Sequence, residues 1–430
     1  MTDALERATM RKVSLRLLPV LFVLYIAAYL DRTNVSIAAL QMNAAVGLSS
    51  AAYGFGAGVF FIGYGLFEVP SNLFLARVGA RRWIARIAIT WGLIACAMIF
   101  VQGATSFYVL RFLLGAAEAG AFPGIVFYLS QWFPERQRGR AMSMFMVSVP
   151  MGGAIGGPLG GMLLGLDGRS GLAGWQWLFL VEGVPSLALG VVVWFVLVDK
   201  PADATWLTNS EREWLTTHLV AERGRRDGTS ERNVAKALTS GVVWWLALLY
   251  FLAIAGTLGP VFFGPVLLSE ALHISSLEVG YLIGVIGLAG VAGMLINGAH
   301  SDYSKERIAH ATIPMLLMAV GIVVTALSHS ALTLIGGLAL ISFSAYSFLP
   351  VFWCVPSTLL SGTAAAGGIA LINSIGNLGG FVAPSILGWG KTMTNSYVGS
   401  MFILSIFALV AALMMFAMRR KFIWDAGGVK

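Results

Sequence analysis

Charge is what this chain has least of. Its 28 Lys and Arg and 20 Asp and Glu make up 11% of 430 residues, against roughly a quarter in an ordinary soluble domain. Apolar residues make up 58%, more than a water-soluble fold of this length hides; about a dozen spanning helices of about 20 residues would take up that much. The shortage of charge excludes a soluble enzyme, a disordered chain and a nucleic-acid-binding protein, even though the net charge is +8. Cysteine is equally scarce. Cys96 and Cys354 both lie inside apolar stretches, which excludes a disulfide framework and a thiolate metal site. Five histidines (His218, His273, His300, His310, His329) are scattered in loops or near span ends, so the sequence gives an integral-membrane enzyme no catalytic cluster. A sensor would need a sizeable extramembrane domain, and none is present. The sequon Asn34-Val35-Ser36 sits in an apolar run and is discounted. Gly390-Lys391-Thr392 resembles the tail of a nucleotide-binding loop, but Ser385 stands where its first glycine belongs, so no nucleotide is expected.

What is present is a series of apolar segments of spanning length. They fall at about 15–40, 51–76, 83–102, 106–131, 141–166 and 175–198, and again at about 241–268, 278–299, 308–327, 331–355, 363–390 and 396–418. They are too continuously apolar for barrel strands, which alternate over about ten residues. The pattern predicts an all-α polytopic membrane protein with 12 transmembrane helices: a six-helix bundle in 1–198, a linker in 199–240, and a second six-helix bundle with a short tail in 241–430. Arg7, Arg11, Lys12 and Arg16 before the apolar run from Leu17 resemble a secretory signal. That run continues past Leu30 and further spans follow, so it reads as an uncleaved first span. Arg32 and Arg111 lie within spans, and only Arg169 and Lys391 fall in loops after odd-numbered spans; the other 24 basic residues lie at the termini or after even-numbered spans. This bias predicts both termini in the cytoplasm. In the linker, Ser210-Glu211-Arg212-Glu213 has capping-box spacing, followed by Trp214, Leu215, Leu219 and Val220. A short amphipathic cytoplasmic helix is expected there.

An internal repeat supports two halves. Residues 72–82 correspond to 298–308 at an offset of 226, and the same offset carries Gly153 onto Gly379 and Pro158 onto Pro384. One register joining two distant landmarks points to parallel six-helix halves related by an axis along the membrane normal, with a ligand site near midplane between them. Glycine clusters at 152–161 and 376–380 read as close-packing, rocking surfaces.

The six-plus-six pattern, the central loop and Gly298-x-x-x-Asp302-x-x-x-x-Arg307 resemble the major facilitator superfamily. More narrowly, several motifs look like its anion:cation symporter family: Leu30-Asp31-Arg32-x-Asn34, Phe67-Glu68-Val69-Pro70-Ser71-Asn72, Arg111-x-x-x-Gly115-x-x-Glu118-x-x-x-Phe122-Pro123 and Trp132-Phe133-Pro134. Gly362-Thr363-Ala364-Ala365-Ala366 and Asn373-Ser374-Ile375-Gly376-Asn377 complete the set. The likeness covers the whole chain and is strongest to bacterial tartrate-type, sugar-acid and hydroxyaromatic-acid permeases. It implies the major facilitator fold, a monomer in a bacterial inner membrane, and import of a small organic anion with protons. The superfamily's aspartate in the first-half loop is replaced by Ala76, which puts a gating salt bridge there in doubt.

Charged side chains deep in a bilayer cost at least about 2.5 kcal/mol on insertion scales and are functional suspects. Here they are Asp31, Arg32, Arg111 and Glu118, all in the first half. Guanidinium groups hold carboxylates through two-pronged donors, so Arg32 and Arg111 are the candidate anion clamps. A carboxylate beside a guanidinium can gain and lose a proton as its surroundings change, which makes Asp31 and Glu118 the candidate proton carriers; the resemblance points the same way for both pairs. Two acids and two bases can neutralise one another, so fixed salt bridges between spans 1 and 4 are the bland alternative. Glu68 and Glu182 match the family pattern and are expected to gate or brace, pairing with loop arginines such as Arg136, Arg138 or Arg140; Asp302 and Arg307 belong with them. Tyr29, Tyr64, Trp353 and Asn373 are candidate substrate contacts, with Tyr25 and Asn377 weaker ones. The expected function is proton-coupled symport of a small organic anion by alternating access, with no cofactor beyond the coupling proton. Sodium-coupled or uncoupled transport, and export, are the alternatives in the same class.

Overall fold

The computed structural model describes residues 2–227, 239–359 and 362–419; the rest of the linker and the C-terminal tail lie outside them. Sixteen helices of more than three residues are described: α1 (Thr2–Ala45), α2 (Ser50–Val78), α3 (Ala80–Ala97), α4 (Ala104–Glu118), α5 (Ala121–Trp132), α6 (Glu135–Met146), α7 (Ser148–Leu164), α8 (Gly174–Val196), α9 (Asn209–Asp227), α10 (Gly241–Leu272), α11 (Ser276–Ser304), α12 (Ile308–Ala326), α13 (Ala331–Leu359), α14 (Gly362–Asn377), α15 (Gly379–Thr394) and α16 (Val398–Ala417). Twelve stretches are long and apolar enough to cross a membrane, because α4–α5, α6–α7 and α14–α15 each form one span. Their even number brings the start of α1 and the end of α16 to one end of the bundle, its terminal end.

Span 4 breaks where chemistry needs it to. Helix α4 ends at Glu118; Ala119 turns to extended backbone and Gly120 takes φ +87° before α5 resumes with Pro123 in its first turn. Left-handed backbone favours glycine, and proline in a first turn forfeits no helical hydrogen bond. A Cβ at Gly120 would also meet the Ser71 side chain of α2.

The halves join through two seams. Helix α7 of span 5 packs on α11 of span 8, and α15 of span 11 packs on α2 of span 2; α1 of span 1 meets α10 of span 7. Shifting every span by six exchanges the first two seams and returns the third to itself, as a two-fold relation between halves requires. Glycine makes the closeness possible: a Cβ at Gly284 would come within 2.7 Å of the Pro158 ring, and one at Gly58 within 2.7 Å of the Phe381 carbonyl. Both seams lie towards the end opposite the termini, where Tyr53 also donates to the Phe262 carbonyl at 2.8 Å.

The linker docks on the first half. Glu211 of α9 pairs with Lys12 at 2.7 Å, Glu222 accepts from the Glu135 amide at 3.1 Å, and Trp206 stacks on Trp132 at 5.5 Å. The cap of α9 is Thr208 with Glu211, whose side chains accept each other's main-chain N–H. The box thus begins two residues before the Ser210–Glu213 spacing read from the sequence, because Thr208-x-x-Glu211 has the same spacing one half-turn earlier.

Candidate functional site

Arg32 donates to Glu118, joining span 1 to the broken end of α4; Glu118 is fully buried. The Arg32 guanidinium also lies over the rings of Phe60 and Tyr64, at 5.3 and 5.2 Å from their centroids. Arg111 is 0% exposed and lies 5.0 Å from the same Phe60 ring. It donates only to main-chain carbonyls, of Ala57 at 3.2 Å and Arg32 at 3.4 Å, and its Nε and Nη1 have no hydrogen-bond partner among the described residues. Arg32 and Glu118 cancel each other's charge. Arg111 is left as a buried cation with spare donors.

Asp31 points elsewhere. Its Oδ2 accepts from Trp91 Nε1 of span 3 at 3.1 Å and Ser186 Oγ of span 6 at 2.5 Å. The four deep charges therefore do not form one neutral cluster. Neighbours in sequence sit about 100° apart round a helix, so Asp31 faces spans 3 and 6 while Arg32 faces spans 2 and 4.

Glu68 is buried at the seam between halves, accepting from Asn373 and from Ser374 Oγ at 3.0 Å, both on span 11. This replaces the expected pairing with loop arginines. Arg136 and Arg140 are exposed, and Arg138 pairs with Glu222 at 3.6 Å. Asn373, expected on the substrate, is here engaged by Glu68. Among the described residues Glu182 meets no arginine either; it lines a cavity of about 80 Å³ between the halves. Asp302, in the last turn of α11, and Arg307, in the loop after it, form an ion pair at 2.7 Å.

The aromatic candidates divide. Tyr29 hydrogen-bonds Tyr346 of span 10 across the halves; Tyr64 is covered by Arg32. Trp353 packs edge-on against Tyr250 at 5.1 Å, and Tyr250 stacks on Phe352 at 4.9 Å. Tyr25 packs on Phe122 and Phe145 within the first half. Tyr250, Tyr346, Ser374, Trp91 and Ser186 were missed. Neutral groups of common type in apolar helices carry no scarcity signal, and the offset of 226 carries no first-half suspect onto Tyr250, Tyr346 or Ser374. His300 and His310, read as scattered, share a hydrogen bond of 2.6 Å, and His310 contacts Glu306 at 2.9 Å.

The family model of the Major Facilitator Superfamily matches residues 21–384. A protein of Agrobacterium vitis named for tartrate transport is 46% identical over 98% of this chain and 96% of its own length. The quinolone resistance transporter of Acinetobacter baumannii is 41% identical over 97% of this chain and 96% of its own. Among solved structures, the xylose transporter XylE from E. coli, partially occluded and inward open, superposes with a TM-score of 0.76 at 15% identity, over 94% of this chain and 97% of its own.

Proposed function

Because the chain belongs to the Major Facilitator Superfamily and is a multi-pass membrane transporter rather than an enzyme, we propose that it carries a small hydroxylated or aromatic carboxylate inward together with protons. The observation that supports this most is Arg111, a fully buried guanidinium with unused donors and no ion pair among the described residues. An anion arriving there meets a net positive site and competes with Glu118 for Arg32. Glu118, released, takes up a proton, and the neutralised complex lets the halves rock. The tartrate-named relative supports the substrate class. Tyr29, Tyr64, Tyr250, Trp353 and Asn373 supply neutral contacts to the body of the ligand, Asn373 after leaving Glu68. Orientation with both termini in the cytoplasm, a bacterial inner membrane and a monomeric state complete the reading.

The test is uptake into proteoliposomes under an imposed proton gradient, with tartrate, sugar acids and hydroxyaromatic acids set against their amide and alcohol analogues. Accumulation of a carboxylate but not its uncharged analogue supports the anion clamp; equal movement of both overturns it. Accumulation that survives in both Glu118→Gln and Asp31→Asn overturns proton carriage by that pair. A second reading, outward transport of a carboxylate-bearing drug, is favoured by the relative named for quinolone resistance; uptake into inside-out vesicles separates the two directions.

A further inference from the structure

Among the described residues four buried carboxylates lie within the spans, and three are already held: Asp31 by Trp91 and Ser186, Glu118 by Arg32, Glu68 by Asn373 and Ser374. Glu182 is different. It is 4% exposed, and among the described residues no cation pairs with it and the Asn34 amide is its polar neighbour. It lines the cavity between the halves, walled by Tyr29 and Asn34 of span 1, Gly157 of span 5, Thr257 of span 7, Gly287 of span 8 and Tyr346 of span 10. Asn34 of α1 faces it with an amide that offers both a donor and an acceptor.

We propose that Glu182 is a proton-binding group of the transport cycle, seated in its own cavity between the halves and separate from the Arg32–Glu118 pair; this rests on the proton-coupled reading above. An ionised carboxylate with no cation beside it in an apolar wall is far costlier than a neutral one. Among the described residues no lysine, arginine or histidine lines the cavity, so the neutralising cation comes from outside. A proton is the smallest such cation, and a protonated carboxyl needs one acceptor and one donor, both of which the Asn34 amide carries.

The titratable groups facing Glu182 are Asp31 on α1, the Tyr29 and Tyr346 hydroxyls at the cavity wall, and Cys96 of α3, which lies behind Gly183. Helix α7 brings no charged residue at all. Span 1 runs away from the termini and span 10 towards them, so the Tyr29–Tyr346 bond closes the cavity on the terminal side, while the seam of α7 with α11 closes it on the other. Rocking of the halves opens one closure or the other. The cavity thereby gives Glu182 alternating access to the two aqueous sides.

The test uses purified full-length protein in nanodiscs and infrared difference spectra between acid and alkaline pH. The wild type should show the C=O stretch of a buried protonated carboxyl, missing in Glu182→Gln and displaced in Glu182→Asp. Identical bands in all three overturn the proposal. In proteoliposomes, gradient-driven accumulation of tartrate should fall in Glu182→Gln to the level seen without a gradient. Undiminished accumulation in that variant beside an accumulating wild type overturns the role of Glu182 and leaves proton coupling standing. A wild type that never accumulates overturns the coupled reading instead, and the infrared bands still decide whether Glu182 carries the proton.

Discussion

A guanidinium that forms no ion pair among the described residues, as at Arg111, is costly inside a membrane unless an anion visits it. A charge-assisted hydrogen bond is worth about 1.5–3 kcal/mol, so Arg111→Gln should lower the initial rate of anion uptake by roughly 10- to 100-fold. Arg111→Lys keeps the charge but loses the fork and should recover only part of that; equal rates in the wild type and both variants would contradict the clamp. Asp31 tests a different role. Removing the Ser186 hydroxyl leaves a buried carboxylate short of a donor, at a cost of about 1–3 kcal/mol, so Ser186→Ala should melt measurably lower in detergent, and an unchanged Tm would argue against that bond. The charged residues themselves were legible because charge stands out in an apolar run. Their pairing was not. Depth along a helix follows from counting residues, whereas direction depends on which neighbours pack there, and Asp31 and Arg32 diverge although adjacent. Partners such as Tyr346, 317 positions from Tyr29, come together only through the docking of the two halves.

Among elements, α9 shows how a linker is held. Burial pushes the Glu211 carboxyl up, but the Lys12 ammonium and the Thr208 N–H and hydroxyl outweigh it and hold the group below the ordinary carboxylate range. A carboxylate depressed in the folded state contributes stability above its ordinary value, about 4.3, and loses it as pH falls through the folded one. Hydrogen exchange in 209–222, corrected for intrinsic rates, should therefore quicken on acidification below that range, and Lys12→Ala should quicken it already at neutral pH; exchange indifferent to Lys12 would contradict the docking. The helix was visible in its periodic apolar residues. Its start was misplaced because two overlapping four-residue windows satisfy the same capping spacing, and only the fold selects Thr208. Spans were visible at their apolar cores, while α1 outruns its apolar stretch because Lys12 and Glu6 find partners on Glu211 and Gln137.

Across the whole molecule, the repeat read at an offset of 226 reappears as paired seams, span 5 on 8 and span 2 on 11, both near the end opposite the termini. The protein is thus closed at that end, and on the terminal side Glu68 with Asn373 and Ser374 forms a cross-half bond alongside that of Tyr29 with Tyr346. Asn373→Ala removes one donor to a buried carboxylate, so the equilibrium should move towards opening at the terminal end by roughly 10-fold. Spin labels at Arg77→Cys and Lys305→Cys, in a background without Cys96 and Cys354, read this directly: the long-distance population should grow, and an unchanged distribution would contradict a latch. The glycine seam gives the converse. Gly284→Val would drive side-chain atoms into the Pro158 ring, so closure opposite the termini should fail and uptake collapse in a protein that still folds; normal uptake would show that the seam does not limit the cycle.

The central claim is that a carboxylate and protons cross together, and the most direct measurement records both in the same vesicles. Wild-type proteoliposomes with a pH-sensitive dye inside and labelled tartrate outside, held without a pH gradient, should acidify internally in step with anion entry. Tartrate entering with no change of internal pH would contradict proton coupling, and with it the roles given to Glu118 and Glu182.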